Sequence, residues 1–70
     1  MRYLIVIEPT DSGFSAYSPD LPGCVATGPT RPDVERNMRD AVELHLDGLR
    51  AGGQPVPPPS TSASYVEVAA

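Results

Sequence analysis

The run Asp20-Leu21-Pro22-Gly23-Cys24, followed closely by Gly28-Pro29-Thr30, constrains this chain more than any other stretch. Proline fixes one backbone angle and glycine accepts angles that other residues avoid, so Pro22-Gly23 predicts a rigid turn. The short apolar run Val25-Ala26-Thr27 comes next, then a second breaker pair and a threonine suited to capping a helix. Turn, strand and helix start are thereby compressed into positions 20 to 30.

Two strand-like runs precede this point, Tyr3-Leu4-Ile5-Val6-Ile7 and Phe14-Ser15-Ala16-Tyr17-Ser18, separated by the turn signal Pro9-Thr10-Asp11-Ser12-Gly13. The first is apolar on both faces, with Tyr3, Ile5 and Ile7 on one side and Leu4 and Val6 on the other. The second sets Phe14 and Ala16 toward a core and Ser15 and Tyr17 toward a wetter side. Pro19 ends it.

Thr30 predicts an N-cap, with Pro32 in the first turn and Asp33 placing negative charge at the positive end of the helix dipole. From Arg31, a spacing of about 100° per residue gathers Val34, Met38, Ala41, Val42, His45 and Leu49 on one face. The opposite face is charged, and Glu35–Arg39, Arg36–Asp40 and Arg39–Glu43 are expected as i,i+4 pairs, each contributing roughly 0.2–0.5 kcal/mol. Gly52-Gly53 ends the helix near Ala51.

The next segment, Gln54-Pro55-Val56-Pro57-Pro58-Pro59, holds four prolines and predicts an extended, polyproline-like return across the surface. A last strand is expected over Ser64 to Ala69, where Tyr65 and Glu67 alternate with Val66 and Val68, pairing beside the first strand. The fold class is therefore α+β, in the order β-β-β-α-β, with one small mixed sheet and a single helix packed on one face. Residues 1–70 are expected to form one domain.

Seventy residues lie near the lower limit for a self-sufficient core. One cysteine cannot form an internal disulfide and no Cys/His cluster offers a zinc site, so self-association, as dimer or tetramer, is the expected support. The net charge is −4, and five arginines at positions 2, 31, 36, 39 and 50, with no lysine, form no basic patch. Nucleic-acid binding by this chain alone is not expected, whereas a basic protein partner suits the acidic balance. The amino-terminal apolar run is too short for a signal peptide or a membrane span, which predicts a cytoplasmic protein with Cys24 reduced.

His45, the only histidine, lies on the apolar helix face with no nucleophile at a motif spacing, and reads as a packed neutral imidazole. Cys24 lacks an electropositive neighbour and reads as a small buried residue. Glu8, Asp11, Asp20, Glu43 and Glu67 invite a two-metal nuclease reading, but Asp11 falls in a turn and Glu43 on the solvent face of the helix. Asp20 reads as a turn residue bonding nearby amides around Leu21-Pro22-Gly23. No catalytic, cofactor-binding or metal-binding residue is assigned, no cofactor is expected, and the chain is read as not an enzyme.

The phrase PDLPGC, the Gly28-x-Thr30 helix start, Leu44-His45-Leu46-Asp47-Gly48-Leu49 and the exit Gly52-Gly53-x-Pro55-x-Pro57 together resemble the HicB-like antitoxins. The resemblance covers nearly the whole chain and implies a partly eroded ribonuclease-H-like fold without catalytic carboxylates. It further implies an antitoxin that neutralises a small, basic, mRNA-cleaving toxin of the HicA type by covering its active face. Many members carry a carboxy-terminal DNA-binding segment, which the short form ending at Ala70 is expected to lack, so no direct DNA binding is expected. The alternative is a solitary HicB-like module acting as an oligomeric scaffold with no toxin partner.

Overall fold

In a computed structural model describing residues 1–69, strands β1 (Val6–Thr10), β2 (Gly13–Tyr17) and β3 (Val25–Gly28) precede one helix, α1 (Arg31–Ala51). The strands form an antiparallel sheet in the order β1-β2-β3. Ala16 stands opposite both Ile7 and Ala26, and Tyr17 opposite both Val6 and Val25. Because side chains alternate across a strand, the Ile7-Ala16-Ala26 row faces the helix and the Val6-Tyr17-Val25 row faces away. Pro9 lies in β1, an edge strand, where a missing donor is tolerated.

Helix α1 starts and stops where local chemistry dictates. Thr30 is extended (φ −129°, ψ 165°) and its hydroxyl accepts from the Asp33 amide at 3.3 Å while donating to the Asp33 carboxylate at 2.6 Å. The cap thus satisfies one of the amides orphaned at a helix start. At the other end Gly53 takes φ +67°, the Gly53 amide donates to the Arg50 carbonyl and the Gln54 amide to the Leu49 carbonyl. This is a Schellman termination, in which glycine enters the left-handed region at little steric cost.

The core consists of Ala16, Leu21, Cys24, Val34, Met38 and Leu46, with Tyr3, Ile5, Ile7, Phe14 and Val42 packed partly against it. Val34, Met38, Val42 and Leu46 lie four residues apart, a row inclined to the helix axis. Leu46, absent from the face expected from sequence, is more deeply buried than His45 because the stripe follows this inclined row. The helix lies over β3 and β2, and its Met38-Val42-Leu46 side looks toward the amino-terminal residues Tyr3 and Ile5 that lead into β1. The charged face also pairs differently from expectation: Arg31–Glu35 (3.2 Å), Arg36–Asp33 and Arg50–Asp47 (3.7 Å) form in place of Glu35–Arg39, Arg36–Asp40 and Arg39–Glu43. All have at least one solvent-exposed partner, where the small energy separating alternative partners leaves the choice to rotamer preference and dipole position.

The α+β class and the single helix on one face of the sheet are as expected. The fourth strand is not formed. Residues 54–69 have no regular secondary structure, so the sheet is three-stranded and wholly antiparallel instead of mixed. Tyr65 is fully exposed, and Val66 and Val68 are 83% and 79% exposed. Alternation marks a segment able to be a strand, but a strand also needs an edge to pair with: the connector runs beside residues 2–5 as far as Ala63, and residues 64–69 continue beyond it exposed.

Gly28 brings the end of β3 against the first turn of α1. A Cβ on Gly28 would lie 2.6 Å from the Val34 amide nitrogen, a backbone atom that cannot swing aside. Gly28→Val is expected to destabilise the protein by about 1–3 kcal/mol through overpacking. Urea unfolding followed by circular dichroism measures this, and an unchanged midpoint would refute the close approach.

Candidate functional site

The loop after β2 is two tight turns sharing one residue. The Leu21 amide donates to the Ser18 carbonyl (3.1 Å), and the Cys24 amide donates to the Leu21 carbonyl (3.0 Å). Pro22 and Gly23, the latter at φ +84°, are the central residues of the second turn and give it type II geometry. Leu21, at the junction, is driven into the core with no exposed surface. Ser18 is buried beneath it, its hydroxyl donating to the Leu4 carbonyl at 3.0 Å, which ties the loop to the amino-terminal segment.

This geometry turns the Asp20 carboxylate outward, toward the proline connector rather than toward its own turn. One carboxylate oxygen accepts from the Ser60 and Thr61 amides, each at 3.0 Å; the other accepts from the Thr61 hydroxyl at 2.6 Å and the Ser60 hydroxyl at 3.2 Å. The sequence reading of Asp20 as a residue bonding amides near Leu21-Pro22-Gly23 is thus corrected: its partners are 40 and 41 residues away. The hydroxyl and amide of Thr61, joined by the Ser60 groups, stabilise the ionised form and lower the Asp20 pKa from 3.8 to about 2. The connector is further held where the Tyr3 hydroxyl donates to the Pro57 carbonyl.

A separate groove runs between the amino-terminal segment and α1. Tyr3 and Ile5 form one wall and Met38, Val42 and Leu46 the other, with Arg2, Glu35, Arg39 and Glu43 around the rim. On the opposite sheet face the row Val6-Tyr17-Val25 is left uncovered, and Tyr17 and Val25 are exposed. Tyr3 belongs with the covered side, packed against the core, rather than with the open face. At the far edge the Asn37 side chain donates to the Thr27 carbonyl at 2.9 Å and so blunts β3. Asn37 and the Ser60-Thr61 pair carry no motif; only their positions in the fold reveal their roles.

The titratable groups singled out in the sequence do not converge. Cys24 is buried, and desolvation pushes its thiol pKa up, which keeps it protonated and poorly nucleophilic. His45 is half-buried on α1 and makes no side-chain hydrogen bond to Cys24 or a carboxylate. Glu8 on β1, Asp11 in the hairpin turn, Glu43 on the helix and Glu67 in the carboxy-terminal segment are all exposed. Among the described residues no group of three or more His, Cys, Asp and Glu side chains is placed to hold a metal ion. No helix among them is long and apolar enough to cross a membrane.

Residues 3–69 match the family model described as HicB_like antitoxin of bacterial toxin-antitoxin system, and the chain belongs to this family. It is similar to the antitoxin HicB 2 of Photorhabdus laumondii, 31% identical over all of this chain and 51% of that one. A UPF0150 protein of Synechocystis is 38% identical over 80% of this chain and 72% of its own length. The chain spans only half the length of an uncharacterised Haemophilus phage HP1 protein to which it is 29% identical. Among solved structures, a chain of a HicA3 and HicB3 toxin-antitoxin complex superposes with a TM-score of 0.74 and 38% identity, over 84% of this chain and 70% of that one.

The clasp has a pH dependence of defined sign. Because the folded pKa of Asp20 lies below its ordinary value, the stabilisation is complete above pH 3.8 and is lost as pH falls through about 2. The Ser60 and Thr61 amide resonances are expected to titrate with that midpoint. Asp20→Ala is expected to speed hydrogen exchange at Ser60 and Thr61 while leaving Val34 and Met38 protected. Unchanged exchange at the connector would show that the clasp does not hold it.

Proposed function

We propose that the protein is a non-enzymatic, cytoplasmic antitoxin that neutralises a small HicA-like ribonuclease by covering its active face. The observation that carries this reading is the likeness, at 38% identity, to a chain of a HicA3–HicB3 complex. The acidic balance of −4 supports it, since attraction to a basic nuclease speeds encounter and sets orientation. The scattered carboxylates fit a binding role better than metal-assisted cleavage. Residues 1–70 act as one domain, with self-association and no direct DNA binding in the reading.

Co-expression is expected to restore growth arrested by a HicA-like toxin, and the association rate measured by stopped flow is expected to fall as salt screens the opposite charges. Growth arrest that persists while both proteins accumulate would reject neutralisation. A rate indifferent to salt would reject steering. Incubated with magnesium or manganese, the purified protein is expected to leave RNA intact, and cleavage abolished by Glu8→Gln or Glu67→Gln would overturn the non-enzymatic role.

A further inference from the structure

The chain's own residues 61–63 flank residues 2–5 across a shallow groove, but beyond them the segment 64–69 pairs with nothing, and β1 has no strand on its outer side. The segment alternates Val66 and Val68 with Tyr65 and Glu67 and projects from the body almost wholly exposed. A 21-residue helix is roughly 31 Å long, yet the molecule extends 49 Å along its longest axis. The difference matches the reach of a five- or six-residue strand at about 3.3 Å per residue. The radius of gyration, 13.8 Å, likewise exceeds the roughly 11 Å of a compact chain of this length.

The receiving site has two components. The outer edge of β1 has no strand beside it, and unpaired edges are templates for strand addition. Pro9 closes that edge to hydrogen bonding, leaving the stretch before it as the usable length. Along the residues that lead into β1, a groove between the amino-terminal segment and α1 is lined by Ile5, Val42 and Leu46. A strand laid along β1 places alternate side chains into that groove and the others on the open face. Val66 and Val68 suit the groove, and Glu67, which is costly to bury, is then left in water.

The same chain does not supply this strand to itself. Four prolines hold the connector extended, and the Asp20 clasp fixes Ser60 and Thr61 at its end. From Ser60 to Ser64 there is no glycine or asparagine to ease a reversal onto β1. We infer that residues 64–69 pair with the β1 edge of a second copy, which returns its own segment in a two-fold exchange, Val66 and Val68 filling the partner's groove beside Val42 and Leu46. This exchange does not depend on the toxin reading.

Sedimentation equilibrium of the full chain at micromolar concentration is expected to give twice the 7.4 kDa chain mass. Val66→Asp/Val68→Asp, at positions exposed in the protomer, is expected to keep the circular dichroism spectrum and raise the dissociation constant roughly 100-fold or more, through the loss of two buried valines. In a mixture of isotope-labelled and unlabelled protein, filtered NOEs are expected to join Val66 and Val68 methyls to Leu46 of the other chain. A monomer at that concentration, a dimer insensitive to the double substitution, or NOEs from the segment to its own chain alone would each overturn the exchange.

Discussion

Leu21 is held between two tight turns, and both ends of the molecule are organised by that constraint. A leucine at the shared corner cannot lie on the surface without exposing its full side chain, so the loop folds inward and Leu21 joins Val34 and Met38 as a fully buried side chain. The inward fold buries Ser18, whose hydroxyl reaches the Leu4 carbonyl, and points Asp20 outward to Ser60 and Thr61. One loop thus positions the amino-terminal segment through Ser18 and the carboxy-terminal connector through Asp20. A substitution that loosens Leu21 therefore acts at a distance, on the clasp and on the groove.

The parts of this fold set by neighbouring residues are legible in the sequence. Pro22-Gly23 dictates its turn, Thr30 with Asp33 its cap, and Gly52-Gly53 the helix end, because each is decided within a few residues. The first two strands follow the expected alternation, although β1 begins at Val6 and not Tyr3, since the ladder with β2 ends at the Val6-Tyr17 pair. Long-range choices are not legible. Nothing near Asp20 indicates that its partners are Ser60 and Thr61, and ordinary turn chemistry gives a local alternative. The fourth strand fails for the same reason: pattern shows capacity to pair, whereas the path of the connector decides which edge lies within reach.

The groove and the open sheet face follow from a mismatch in number. One helix covers two strands well, and here it is centred over β2 and β3. The β1 side therefore retains partly covered Ile5 facing Val42 of the helix, and Val6 on the other face. At the opposite border Asn37 reaches the Thr27 carbonyl, so the two edges of the sheet are not equivalent. Protection at β3 and an unpaired β1 leave one edge of the sheet available for an added strand.

Strand exchange also bears on how so short a chain remains folded. Six buried apolar residues make a small core, and conformational entropy of about 1–2 kcal/mol for each ordered residue leaves little surplus. Burying Val66 and Val68 in a partner adds apolar burial to each protomer without lengthening the chain. The gain comes only on association, so stability depends on protein concentration. Any partner competing for the β1 edge would exchange one stabilising contact for another. In such a molecule folding, self-association and recognition of other chains draw on the same few residues beside β1.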